Sequence, residues 1–197
     1  MPNINVISRA VGGNTPAQGP WAIPALTLTT NTETLVTNQQ GNPVVIYPQP
    51  TGQVTAAAAP ASFGVGFDGF AMKVRAVFKV SNTVASSTAI VAIYANQSGT
   101  TITSGNKLGT VTSQSLSGTA SASGVLEIYL IWDSQSLVIS GWQGGFFGTT
   151  LLAPAALTNT AVSIPALTNL NFSLTATCGT TAKSVTFEIT EFVVETV

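Results

Sequence analysis

The sequence predicts an all-β fold, an antiparallel β-sandwich of the jelly-roll type. Apolar and polar residues alternate along several stretches, which is the pattern of half-buried antiparallel strands. Turn-forming residues separate these stretches at short intervals, and no segment has the periodicity of a helix. The count of about seven or eight strands after residue 70 favours a jelly roll. An immunoglobulin-like sandwich is the alternative, although a chain with one cysteine lacks the Cys–Trp–Cys spacing.

The N-terminal third differs from the rest because eight of the ten prolines precede residue 61. Proline lacks a backbone donor, so this region cannot supply central strands. We predict an extended Pro-rich arm with edge strands over residues 1–60, followed by the sandwich domain over residues 61–197. Trp21 and Ile23 are candidate anchors of the arm. The arm either folds back on its own domain or reaches a neighbouring subunit.

The clearest early alternation runs from residue 70 to residue 80. Its apolar face comprises Met72, Val74, Ala76, Phe78 and Val80. The opposite face carries Lys73, Arg75 and Lys79, half of the six basic residues. These charges indicate either a solvated face or an electrostatic contact with an acidic partner.

The stretch from residue 124 to residue 148 predicts a hairpin of two buried strands. Residues 125–132 are apolar or aromatic except for Glu127, and residues 133–136 have the side chains of a turn. Phe146 and Phe147 lie between glycines near the end of this stretch. They either plug the end of the sandwich or project into a neighbouring subunit.

The remaining strands follow from the same alternation. Strands are predicted at 26–37, 42–47, 88–96, 107–116, 170–178 and 185–189. Residues 151–157 are expected to form a packed loop or one helical turn. The alternation changes phase near Glu191, which predicts a β-bulge. Cys178 lies among alternating apolar residues and is expected to act as a small buried hydrophobe.

No residue pattern points to catalysis, a cofactor or a metal. The chain has no histidine, which excludes His-based triads and imidazole ligands. No Ser-x-x-Lys motif in a suitable context occurs, and no pair of carboxylates lies in a recognisable motif. Asp68 and Asp133 each stand alone, unlike the close carboxylates of a calcium loop. We therefore predict a protein that is not an enzyme.

Charge and hydropathy limit the classes of partner. Charged residues make up 7% of the chain, against about 25% in ordinary soluble proteins. Lys and Arg are too few for phosphate binding, so nucleic acid is not expected as a partner. No run of 18 apolar residues and no signal peptide are visible, so no membrane association is expected. A near-neutral surface suits a protein that packs against copies or partners.

Aromatic residues offer one further possible site. Trp132, Trp142, Tyr94 and Tyr129 either fill the core or form a platform on which a sugar ring stacks. Of these two interpretations, the sequence favours the core.

The whole chain resembles the small virion proteins of tailed bacteriophages. The resemblance rests on the Pro-rich arm, the Thr/Ser/Gly/Ala-rich sandwich and the central Val-Leu-Glu-Ile-Tyr-Leu-Ile-Trp-Asp-Ser of residues 125–134. The class that it resembles comprises the jelly-roll decoration, or cement, proteins of capsids. This resemblance implies a homo-oligomer, with a trimer favoured, bound to the major capsid protein at the capsid surface after synthesis in the host cytoplasm.

Two alternative functions stay open at this point, a receptor- or glycan-binding tail module and a single-jelly-roll shell protein. For the decoration class, the subunit or capsid contacts would come from the arm, the basic face and the phenylalanine pair. The candidate contact residues are Trp21, Ile23, Lys73, Arg75, Lys79, Phe146 and Phe147.

Overall fold

The computed structural model shows two antiparallel β-sheets packed as a sandwich, which confirms the predicted fold class. The structure describes residues 6–11, 23–46, 71–83, 87–95, 100–117, 120–133, 138–157, 171–179 and 184–196. Only the backbone is described for residues 6–11, 132–133, 138–140 and 196. Among the described residues the one helical element is a 3-10 turn at Ser104–Asn106, and no helix is long enough to cross a membrane.

The larger sheet has seven strands in the order β1-β12-β5-β8-β9-β10, with β2 also paired to β12. Their bounds are β1 Val6–Val11, β2 Leu26–Leu28, β5 Ala71–Asn82, β8 Ser121–Asp133, β9 Val138–Phe147, β10 Thr150–Ala156 and β12 Val185–Thr196. The predicted bulge near Glu191 is confirmed, because the β12–β5 register shifts between Ile189 and Glu191.

The smaller sheet has five strands in the order β3-β11-β6-β7, with β4 also paired to β11. Their bounds are β3 Thr34–Leu35, β4 Val45–Ile46, β6 Ala89–Ala95, β7 Lys107–Thr112 and β11 Phe172–Cys178. The chain passes repeatedly between the sheets, since β2, β5, β8 and β12 lie in one and β3, β6, β7 and β11 in the other.

The core lies between the two sheets and is built from the inward faces of their strands. Every second residue of β5, from Met72 to Val80, is buried, as the alternation predicts. Cys178 is buried, in agreement with its expected role. Strand β8 differs from the prediction of full burial, because Leu126, Ile128 and Leu130 face the core whereas Ile131 is 46% exposed.

The described parts of the N-terminal region pair with both sheets. Strand β1 pairs with β12, β2 pairs with β12, and β3 and β4 pair with β11. Ile23 is buried in the core cluster. The predicted domain boundary at residue 60 lies outside the described residues.

The side chain of Gln143 links the two sheets by hydrogen bonds at one side of the sandwich. Gln143 of β9 points inward, and its Oε1 accepts a hydrogen bond from the Thr110 amide of β7 at 3.0 Å. Its Nε2 donates to the Ala156 carbonyl of β10 at 3.3 Å. A buried amide with both groups satisfied fixes where β7 meets the larger sheet.

Candidate binding face

Strand β9 differs from the other long strands because small or polar residues occupy most of its inner face and large aromatic residues lie on its outer face. Its register with β8 turns Gly141, Gln143 and Gly145 toward the core and turns Trp142 and Phe146 outward. Gly145 has φ +146°, and a Cβ at this position would collide with the Val125 carbonyl oxygen of β8. Only glycine tolerates both the positive φ and the close carbonyl oxygen, so Gly145 allows β9 to lie close against β8.

Two outward rings stack on each other across β8 and β9. Tyr129 and Trp142 are direct cross-strand neighbours, with ring centroids 4.2 Å apart and planes inclined by 12°. A Cβ added to Gly144 would lie 2.9 Å from the indole, so the absent side chain leaves room for the ring. We call Tyr129 and Trp142 the aromatic pair. The indole of this pair is 41% exposed.

A carboxylate lies beside the aromatic pair. The Tyr129 hydroxyl donates to Glu127 Oε2 at 3.4 Å, and Glu127 lies opposite Gly144 in the β8–β9 register. Burial raises the pKa of the Tyr129 hydroxyl, and the negative charge of Glu127 raises it further, against a smaller opposing effect of Lys73. The hydroxyl therefore keeps its proton at neutral pH and acts as the donor.

A second outward feature is a row of apolar side chains across three strands. Val125 of β8 lies opposite Phe146 of β9, which lies opposite Leu151 of the edge strand β10. We call these three residues the apolar row. Phe146 is 42% exposed and Leu151 is 78% exposed. The row lies about 13 Å from the aromatic pair, the length of four strand residues.

The β9 and β10 parts of the apolar row have no charged residues in their own strands. From Ser134 to Ala182 the sequence contains no Asp, Glu, Lys or Arg. Strand β10 is exposed along nearly its whole length. Residues 151–156 belong to this edge strand. The predicted packed loop or helical turn at residues 151–157 is therefore wrong. Exposed apolar patches of this kind mark interaction sites in soluble proteins.

The charged part of the same sheet face is paired within the chain. Lys73 Nζ lies 2.7 Å from Glu195 Oε2, and Arg75 Nη2 lies 3.1 Å from Glu191 and 3.5 Å from Glu195. The side chain of Glu195 is only 7% exposed. Because Lys73 and Arg75 are neutralised by these partners, they present no excess positive charge to an acidic surface.

The candidate contact residues occupy different environments. Lys79 is exposed and lies opposite Glu188 in the β12–β5 register. Ile23 is buried in the core, and Phe147 packs edge-on against Phe78 at 5.0 Å. These two residues therefore pack inside their own chain. Phe146 is exposed, and Trp21 lies outside the described residues.

The four aromatic residues considered as a sugar platform also separate. Tyr129 and Trp142 lie on the outer face, so the preference for the core is wrong for these two. Tyr94 is buried, on the outer face of the smaller sheet. The side chain of Trp132 lies outside the described residues. Alternation alone does not reveal the phase of β9, because Phe146 and Phe147 supply an apolar residue to either face.

The outer face of the smaller sheet holds a second polar cluster. Glu33 accepts hydrogen bonds from Tyr94 at 2.8 Å and Thr175 at 2.6 Å, and it lies 3.3 Å from Lys107 Nζ. The Lys107 ammonium also lies over the Tyr94 ring, at 5.3 Å from its centroid. Burial, the hydrogen bond and the charge of Glu33 all raise the pKa of Tyr94. The carboxylate thus ties the segment before β3 to three strands.

No group of three or more metal-ligating side chains occurs in the described part of the chain. No protein-family model matches the sequence, and a comparison with curated proteins gives no match. Among solved structures, the chain is similar to the conserved carbohydrate esterase of the Shiga toxin-encoding bacteriophage phi24B. The identity is 13%, the alignment covers 98% of this chain and 99% of that chain, and the TM-score is 0.38.

A second similar structure is the binding domain of botulinum neurotoxin serotype C1. The identity is 9%, the alignment covers 96% of this chain and 48% of that chain, and the TM-score is 0.26. At these TM-scores neither similarity carries an argument about activity.

Proposed function

We propose that this protein is a non-enzymatic structural protein of a phage virion, a decoration or cement protein that stabilises the capsid by packing against other protein chains. The observation that carries the proposal is the apolar row beside the exposed, uncharged strand β10. An edge strand in a free monomer is ordinarily protected by charged side chains. Here the protection is a bulge and Pro154, and the apolar side chains stay exposed.

Physical considerations favour a protein partner for this surface. Burying apolar area contributes about 25 cal/mol per Å², and β9 and β10 bring no ion of their own to desolvate. The chain has a net charge of −1, which gives little repulsion between copies. We assign the apolar row to contacts between copies of this chain, in a homotrimer. The passage of the chain between the two sheets supports the jelly-roll form of the proposal.

Attachment to the capsid would use other surfaces of the oligomer. Several weak contacts per oligomer give strong attachment through effective concentration. Trp21 is the proposed anchor to the major capsid protein. Deletion of residues 1–25 is a poor test, because it would also remove β1 and the buried Ile23. The substitution Trp21→Ala tests the anchor alone, by co-sedimentation with purified capsids of the encoding phage.

The oligomer is tested by light scattering after size exclusion. We expect a mass about three times the 20.1 kDa of one chain. Leu151→Ser is expected to shift the protein toward the monomer, because it places a hydroxyl in the apolar contact. Glu188→Ser, an exposed change on β12 in the charged part of the same sheet, is the matched control and should leave the mass unchanged. A monomeric wild-type protein at all concentrations would contradict the proposal.

A second candidate function is a glycan-binding tail module, and the aromatic pair is the observation that favours it. A monomer that binds oligosaccharides and ignores capsids would support this candidate over the first. Very large assemblies of the protein alone would instead support a shell protein.

A further inference from the structure

The geometry points to a binding site for a neutral pyranose sugar at the aromatic pair and Glu127. This site is separate from the apolar row, which carries the proposed assembly contact. A bound sugar would stack on the exposed part of the indole, and its hydroxyls would donate hydrogen bonds to the carboxylate. The inference rests on the same aromatic pair as the glycan-binding candidate and is independent of the proposed assembly role.

The aromatic pair is a rigid platform. Tyr129 covers one face of the indole at 4.2 Å, so the 41% exposure of Trp142 comes from its remaining surface. The ring lies over Gly144, where no side chain competes for the space. A ring held in this way loses little conformational entropy when a ligand binds, which favours affinity.

Glu127 supplies unused acceptor capacity next to this platform. A carboxylate has about four acceptor positions, and Glu127 receives a hydrogen bond from Tyr129 alone within the described part of the chain. Arg75 lies opposite Glu127 in the β5–β8 register, but its Nη2 contacts Glu191 and Glu195 on β12 instead. Among the described residues, the carboxylate therefore has no cationic partner.

This arrangement also defines the charge of the ligand. The negative charge of Glu127 disfavours sulfated, phosphorylated and uronic acid sugars by like-charge repulsion. Lys73 and Arg75, the nearest basic residues, are already paired with carboxylates of β12. A neutral sugar with an apolar C–H face fits both the indole and the carboxylate.

The experiment is a binding titration of the full-length protein with millimolar cellohexaose, maltohexaose and chitohexaose. Calorimetry and tryptophan fluorescence detect the binding. We expect at least one of these neutral oligosaccharides to bind. Trp142→Ala should weaken that binding about thirtyfold or more, the effect of losing a hot-spot residue. Trp142→Tyr should restore part of the affinity. Glu127→Gln should weaken binding about fivefold, because an amide accepts weaker hydrogen bonds than a carboxylate.

Phe146→Ser is the matched control. Phe146 lies on the same strand and face as Trp142 and is 42% exposed, but it belongs to the apolar row. This variant should lower the oligomer mass and keep the sugar affinity. Absence of binding to all three oligosaccharides would overturn the inference, as would binding that survives Trp142→Ala. Neither result would bear on the oligomer mass, which tests the assembly proposal.

Discussion

Strands β5 and β9 belong to the same sheet, and they distribute their side chains in opposite ways. β5 turns five apolar residues inward and carries Lys73, Arg75 and Lys79 on its outer face. β9 turns glycine and glutamine inward over much of its length and carries Trp142 and Phe146 outside. The inner face of β5 accounts for folding. Within the described chain, the exposed aromatic side chains on the outer face of β9 have no comparable role in folding.

The two outer faces also differ in how their groups are satisfied. Lys73 and Arg75 of β5 have ion-pair partners on β12, so these two charges are neutralised within one chain. The apolar row, which crosses β9 at Phe146, ends on β10 at Leu151, a residue that is 78% exposed. Under the proposed function, the β5–β12 part of the sheet stabilises the fold and the β8–β10 part binds. The predictions that follow probe this division.

The largest difference is expected between the two adjacent phenylalanines of β9. Phe147→Ala should destabilise the fold by about 3–5 kcal/mol, because Phe147 is fully buried against Phe78. Phe146→Ala should change the stability of the isolated chain by no more than about 1 kcal/mol. Urea denaturation of both variants provides the measurement. Equal losses would show that β9 is not divided between core and surface.

A smaller effect is expected from the charged part of the sheet. Glu195→Gln should destabilise the protein by about 2 kcal/mol, since it leaves Lys73 and Arg75 with one fewer nearby carboxylate. Glu188→Gln, at an exposed position of the same strand, is the control and should cost less than about 0.5 kcal/mol. The two unfolding free energies should be measured at low and high salt. A loss for Glu195→Gln that disappears at high salt would contradict the buried pairing.

Tyr94 shows that a side chain on the outer face of a sheet can still be buried. Tyr94→Phe should cost about 1 kcal/mol through the lost hydrogen bond to Glu33. The pKa of Tyr94 is raised from 10.0 in the fold, so the unfolded chain releases this proton first as the pH rises. Stability should therefore fall above about pH 10, and less steeply in the variant. Identical pH profiles by thermal unfolding would contradict this assignment.

The smallest effect on stability is expected at Gly144. Gly144→Ala places a methyl group against the indole of Trp142, which must shift. We expect a cost below about 1 kcal/mol together with a changed tryptophan emission spectrum. Gly105→Ala has open space around the new methyl group and serves as the control. An unchanged spectrum for Gly144→Ala would show that the aromatic pair is not held as described.

The sequence was sufficient to predict the sandwich and most of its strands, for a physical reason. Strands such as β5 and β12 have one apolar face and one polar face, so their period is visible in the residues themselves. The bulge near Glu191 was visible in the same way, as a change of phase. These predictions depended on local alternation and needed no knowledge of the partner strands.

The binding face was harder to predict because it depends on register. The β9 sequence has aromatic residues in both phases, and only its pairing with β8 turns Trp142 outward. Strand β10 was missed because its alanines and Pro154 have low strand propensity, and the pairing with β9 overrides that preference. Cross-strand neighbours such as Tyr129 and Trp142 cannot be inferred from separation along the chain.

Pro154 has a consequence for strand addition at the edge of the larger sheet. It sits on β10 where the register with β9 shifts between Leu152 and Ala155, and it has no amide hydrogen to offer. A further strand added to this edge would meet an interrupted ladder of hydrogen bonds. Edge-to-edge pairing of strands from many copies, which would build a fibre, is thereby disfavoured without any charged residue on β10. An uncharged edge strand can in this way expose apolar side chains without serving as a template for repeated strand pairing.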